Sequence, residues 1–252
     1  MSAARGILAK VPAITAFFWI IKVLATTVGE TFADFLNESL GLGLTGTSVV
    51  MGFALVAALI WQFATKRYVP IVYWLAIVLI SVAGTLITDT MTDTYGIPLI
   101  VSSMIFAILL ALTFTVWFVR EKTLAMKSIV TPAREGFYWL AILFTFALGT
   151  AVGDYLAETL GLGYGLSVVV YGVAIVLVVV AWRAKLLTGV TSFWIAYVLT
   201  RPLGASIGDF LSQAPADGGL GWGPENTSYV FLGAIVATVA YLSVTKRDTL
   251  KV

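Results

Sequence analysis

Apolar residues run along this chain in eight long blocks, near 12–36, 47–65, 70–90, 98–119, 136–157, 165–184, 190–211 and 228–245, with short polar segments between them. About 20 residues of helix are enough to cross a ~30 Å hydrocarbon core, so each block predicts a transmembrane helix. The even-numbered blocks carry no charge except Arg183, at the very end of the sixth. Each odd-numbered block carries an aspartate, followed in three of the four repeats by another acid four residues on, a spacing that places side chains on one helix face. The start, through Trp19, has two basic residues and an apolar run but no small-residue cleavage site before the run continues, so it reads as a retained first helix.

The odd blocks also repeat one another. Trp19, Trp74, Trp139 and Trp194 are each followed after ten residues by Gly29, Gly84, Gly149 and Gly204, and five further on by Asp34, Asp89, Asp154 and Asp209. In three copies another glycine follows the aspartate by seven residues (Gly41, Gly96, Gly161), while the fourth has a longer Gly/Pro-rich loop over 214–227. The segments DFLNESLGLG (34–43) and DYLAETLGLG (154–163) share seven of ten residues. The expected architecture is therefore an all-α integral membrane protein with eight transmembrane helices in four tandem two-helix repeats. Repeats one and two fill 1–128 and repeats three and four fill 129–252, as two halves of one membrane domain. Two-helix units all enter the membrane in the same sense, so the repeat axis lies along the membrane normal.

These Trp–Gly–Asp registers resemble a family of uncharacterised bacterial membrane proteins built of tandem two-helix repeats of unknown function, each marked by a tryptophan. The resemblance covers nearly the whole chain. It implies a multi-pass protein of the bacterial inner membrane and supplies no substrate.

Composition sharpens the picture. The chain is 60% apolar and 11% charged, too little polar surface for a soluble domain of 252 residues. Thirteen of its 15 basic residues fall at block ends or in loops on one side of the predicted membrane. The positive-inside rule then puts both termini in the cytoplasm. Cysteine and histidine are absent, which removes thiolate zinc sites, iron–sulfur clusters, histidine-ligated haem and the usual general base. The scattered basic residues and net charge of +2 do not suit nucleic acid. Asn226-Thr227-Ser228 has the form of a glycosylation sequon.

The candidate chemistry lies in the acids. Measured along a helix, each aspartate sits about 22 Å from its tryptophan and each motif glycine about 15 Å. Four residues beyond the aspartates stand Glu38, Asp93, Glu158 and Gln213, and Glu30 extends the stripe inward in the first repeat. Eight of the 13 acids therefore fall in these tiers. A charge at the bilayer centre costs roughly 2.5–3.5 kcal/mol on insertion scales. Lipid-facing carboxylates on this scale would exceed a stability of about 5–15 kcal/mol, so they must share an interior. Only Lys22 and Arg201 lie within the spans to compensate them. Lys22 reads as snorkelling to the cytoplasmic face, and Arg201 as the partner of Asp209 or a neighbouring aspartate, with Pro202 loosening the helix. The tryptophans read as interfacial anchors, as do Trp61, Trp117 and Trp182. Gly29, Gly84, Gly149 and Gly204 suit close helix packing, or a helix break beside a site.

The expected activity is secondary transport, as an exporter, of a hard divalent cation such as Mn²⁺, coupled to protons. Asp34, Asp89, Asp154 and Asp209 would hold the metal, with Glu30, Glu38, Asp93 and Glu158 sharing cation and proton binding. Oxygen donors without histidine or cysteine suit Mg²⁺, Ca²⁺ or Mn²⁺ over Zn²⁺ or Cu⁺. An organic-cation transporter and a non-transporting scaffold or sensor are the alternatives. No enzyme is expected: Ala151 and Ser206 replace the first glycine of the Gly-x-Gly-Asp signature of intramembrane aspartyl proteases, and Lys22 in the first helix is a poor retinal anchor. No covalent cofactor is expected, and the partners are the lipid bilayer and the cation, with the chain a monomer or homodimer.

Overall fold

A computed structural model describes residues 9–249. The first eight and last three residues, with Arg5 and Lys251 of the charge count, lie outside the described residues. Eight long helices form the described chain, and it has no strand. They are α1 (Ala16–Asp34), α2 (Gly43–Ala64), α3 (Pro70–Asp89), α4 (Leu99–Glu121), α5 (Pro132–Asp154), α6 (Tyr164–Arg183), α7 (Gly189–Ser212) and α8 (Pro224–Thr245). Seven are long and apolar enough to cross a membrane; α7 is not. It carries Arg201, Asp209 and several hydroxyl residues, and 14 of its 24 residues are buried.

Helix starts follow from local chemistry. Thr15, Thr131 and Thr188 cap α1, α5 and α7 by accepting from a first-turn backbone N–H, and Pro70, Pro132 and Pro224 open α3, α5 and α8, where no N–H is missed. Hence α1 begins at Ala16 and α5 at Pro132, each four residues from the starts the apolar blocks suggested. After Asp34, Asp89 and Asp154 the helices continue as wider π-helical turns, Phe35–Ser39, Thr90–Thr94 and Tyr155–Thr159. Gly41, Gly96 and Gly161 then adopt φ of 68°, 65° and 68° to reverse the chain, a conformation with little penalty only for glycine.

The odd helices form an inner ring, α1 against α3, α3 against α5, α5 against α7 and α7 against α1. Each even helix lies outside the odd helix of the following repeat: α2 on α3, α4 on α5, α6 on α7, and α8 back on α1. More than half of the apolar core of α1, α3 and α5 is buried, against fewer than a third of α2, α4, α6 and α8. The outer helices present Phe53, Ile60, Leu177 and Val236 to the surroundings.

The repeat motif closes this ring twice. Near the start of each odd helix, the aromatic residue before one tryptophan packs on the tryptophan of the next repeat. Phe18 meets Trp74 at 5.7 Å, Tyr73 meets Trp139 at 5.6 Å, Tyr138 meets Trp194 at 6.2 Å, and Phe193 meets Trp19 at 5.7 Å. The marker tryptophans are thus not interfacial anchors. Trp74, Trp139 and Trp194 are buried between repeats and Trp19 half-buried, because aromatic pairs at this layer hold neighbouring helices together. Trp117 is buried as well, whereas Trp61 and Trp182 face outward.

The second closure is at the motif glycines. Each receives the residue seven places after the next tryptophan: Gly29 faces Ser81, Gly84 faces Phe146, Gly149 faces Arg201, and Gly204 faces Thr26. At all four a methyl group would stand under 3.0 Å from its neighbour, so glycine permits the close approach. None of the four breaks its helix.

The tryptophan end is tied together by the stretch before α1. Lys10 forms a buried ion pair with Glu135, which also accepts from Gln62 Nε2 at 2.9 Å. Tyr68 donates its backbone N–H to Ala9 at 3.1 Å and its hydroxyl to Asp248. Asn226 and Thr227 lie in the first turn of α8, with Thr227 fully buried, so the sequon is not on an open loop.

Candidate functional site

Six residue positions four apart run up the inner face of each odd helix, and the aspartates occupy the fifth. The fourth tier holds Glu30, Thr85, Thr150 and Ala205; the sixth holds Glu38, Asp93, Glu158 and Gln213. An α-helical row at i+4 drifts around its axis, since four residues exceed one turn of 3.6. The π-helical turns after Asp34, Asp89 and Asp154 reverse that drift and bring Glu38, Asp93 and Glu158 to the rim of the aspartate tier. π-Turns of this sort cluster at functional sites.

The result is a cup of about 160 Å³ at the aspartate end of the ring. All eight acids singled out by the sequence line it: Glu30, Asp34, Glu38, Asp89, Asp93, Asp154, Glu158 and Asp209. Asn37, Thr92, Leu99 and Gln213 complete the lining, so the wall has one apolar residue and no aromatic ring. Exposure grades along the cup. Glu30 and Asp209 are buried, Asp34, Asp89 and Asp154 half-buried, and Glu38, Asp93 and Glu158 exposed at the mouth. Carboxylate oxygens of Glu30, Asp154 and Asp209 lie within 4.8 Å of one another, close enough to share one metal ion.

Arg201 lies fully buried beneath the lining, bonded to Glu30. Its Nη2 donates to Glu30 Oε2 at 2.9 Å, to Thr150 Oγ1 at 2.7 Å and to Thr85 Oγ1, and its Nη1 donates to the carbonyl of Thr26 at 3.1 Å. One α7 residue therefore reaches the other three inner helices. Its acidic partner is Glu30 and not Asp209 or another aspartate. The guanidinium points across the ring into the fourth tier, below the aspartates, and Gly149 opens the space for its stem. Pro202 leaves α7 unbroken and packs against Gly149 and Gly153.

Among the described residues, the four aspartate carboxylates accept no side-chain hydrogen bond and make no ion pair, although Asp209 is only 7% exposed. They do not cap helix ends either. Glu158 alone of the mouth residues has a partner, accepting from Tyr164 Oη at 3.1 Å. Four acidic groups converge without protein donors, and converging anions repel unless protons or a cation neutralise them.

Lys22 departs most from its expected place. It is fully buried in the ring below Arg201 and does not reach either end. Two groups of participants escaped the sequence reading: Thr85 and Thr150, which hold the guanidinium, and Asn37 and Thr92 in the wall. The four-residue period that located the two acidic tiers, carried one turn further inward, reaches the threonines.

Comparison with known proteins follows the same periodicity. A family model described as Repeat of Unknown Function (DUF347) matches residues 17–68, 72–123, 137–185 and 192–248. Neither a curated protein nor a solved structure matches the chain.

Proposed function

The chain belongs to the Repeat of Unknown Function (DUF347) family, and from that premise we propose that it is a proton-coupled carrier of a hard divalent cation such as Mn²⁺. In this reading the eight helices span a membrane, with the apolar faces of α2, α4, α6 and α8 toward lipid. Apart from Lys22 and Arg201, the described basic residues stand at the tryptophan end. That bias favours a cytoplasmic tryptophan end and cytoplasmic termini. The membrane is then the bacterial inner membrane, and the cup opens to the outside.

One observation carries the proposal: four convergent carboxylates with no protein partner, at the base of an acid-lined cup. A purely structural role would have paired them, since an uncompensated buried charge is costly. The oxygen donors suit Mg²⁺, Ca²⁺ or Mn²⁺. An organic cation fits the cup less well, because no aromatic ring lines it. Protons from outside compete with the cation for the same oxygens, which discharges it outward. On the cytoplasmic side, loss of those protons restores affinity, so the proton gradient drives export. The cup is enclosed by one chain, and the reading needs no second copy.

Proteoliposomes containing the purified protein and an internal pH reporter test this with Mn²⁺, Mg²⁺ and Ca²⁺ gradients. Cation flux with opposing proton movement is expected, and Asp34→Asn and Asp154→Asn should each abolish it while leaving the helical fold intact. Absence of flux for all three ions, with variants that merely melt at lower temperature, would overturn the carrier and leave the acids structural.

A further inference from the structure

Below Arg201 the ring holds a second cation that the cup does not use. Lys22 follows Trp19 by three residues, where the other repeats have Ile77, Ile142 and Tyr197. It is 0% exposed, and its Nζ has no hydrogen-bond partner. The Nζ instead lies 4.2 Å from the ring centroid of Phe146 and 4.3 Å from that of Tyr197. The Arg201 guanidinium stands 5.8 Å from the same Phe146 ring, and Glu30 is already bonded to Arg201. The lysine thus has no acid of its own. A buried ammonium needs compensation, and aromatic faces provide it most strongly where water is excluded.

We infer that Phe146 and Tyr197 form a second cation subsite on the axis of the ring, with the Lys22 ammonium as its tethered occupant in this state. The ligand class is a primary ammonium: the site offers two π faces, no carboxylate, and the space of a four-atom chain beyond Cβ. Its role rests on the carrier reading. Lys22 and Arg201 both border Phe146, so two basic side chains fill the ring beneath the cup. A cation held by the aspartates cannot descend until the ammonium leaves the box. The subsite acts as the inner stop of the outward-facing state.

Truncation and chemical complementation test the subsite without any transport measurement. Lys22→Ala, purified in detergent, is unfolded thermally in n-propylammonium chloride, in sodium chloride at equal ionic strength, and with 1-propanol as the neutral isostere. Propylammonium alone should raise the Tm of Lys22→Ala by about 2–4 °C over sodium and leave the wild type unchanged. The effect should vanish in Lys22→Ala/Phe146→Leu. An equal shift in wild type, an equal shift with 1-propanol, or survival in the double variant would each overturn the subsite. Lys22→Met fills the same space without charge and reports the role in proteoliposomes. It should pass Mn²⁺ down its gradient without proton counterflow; unaltered coupling would overturn the stop. Complementation with no wild-type flux would retain the subsite and remove the carrier, whereas flux without complementation would do the reverse.

Discussion

Replacing Arg201 with methionine is expected to destabilise the protein by about 3–5 kcal/mol, the usual penalty for breaking a buried ion pair from one side. Glu30, 6% exposed, would keep only the hydroxyl of Thr85 as a donor, at 3.3 Å. Thr150 and the Thr26 carbonyl would lose their contacts with α7 at the same time. Arg201→Lys should recover little, since a single ammonium on a flexible stem cannot reproduce a planar fork that reaches α1, α3 and α5 together. Adding Glu30→Gln to Arg201→Met should restore most of the loss, because the remaining cost is that of an orphaned carboxylate. Unfolding of the two singles and the double gives the coupling directly. If the double is as unstable as the sum of its parts, the threonine contacts and not the charge pair hold the ring.

The position of Arg201 shows what could and could not be read from the chain. Its place within a span and the need for an acidic partner followed from hydropathy and charge. Its partner did not, because sequence spacing orders residues along one helix while the pair joins α7 to α1, 171 residues apart. The same distinction separates the acids from the tryptophans. The repeat register groups Asp34, Asp89, Asp154 and Asp209, and all four line the cup. The register also groups the tryptophans in one layer, but it does not give their direction around the helix. Burial depends on which neighbour supplies the facing ring, and Phe18, Tyr73, Tyr138 and Phe193 do so from adjacent repeats. Lys22 follows the same rule: one turn from Trp19 its spacing suggests a side chain near water, but Trp19 belongs to the packed ring and Lys22 is fully buried. The helix count was sound, although α7 is less apolar than the block pattern implied, since its polar residues face the interior.

These placements show what each motif residue does. Tryptophan and glycine act between repeats, each against the next unit around the ring, and so impose the same neighbour relation four times. The aspartates then converge at one end as a geometric consequence. Departures from the repeat are concentrated on the axis: Lys22, Glu30, Phe146 and Arg201 occupy positions where the other copies have different residues. The asymmetric residues tie the four inner helices together under the cup.

Glycine 84 puts the ring geometry to a quantitative test. A Cβ there would lie 2.7 Å from Phe146 Cβ, 3.0 Å from the Ala147 backbone nitrogen and 3.1 Å from the Phe146 carbonyl carbon. Two of those atoms are backbone and cannot rotate away, so α3 and α5 must separate. Gly84→Ala is expected to cost about 1–3 kcal/mol through this overpacking, and Gly84→Leu to prevent assembly of the ring. The outer helices provide the control. A methyl at Gly52, Gly172 or Gly233 meets nothing within 4 Å, so alanine there should be neutral or stabilise by up to about 1 kcal/mol through helix propensity. Thermal unfolding of the four alanine variants should therefore divide by ring: Gly84→Ala several degrees below wild type, the outer three at or above it. Equal melting of all four would mean that α3 and α5 do not approach closely, and that the glycine register has some purpose other than packing. A loss confined to Gly84 would also predict damage to the cup, since separating α3 from α5 shifts Asp89 relative to Asp154 and draws Phe146 away from Lys22.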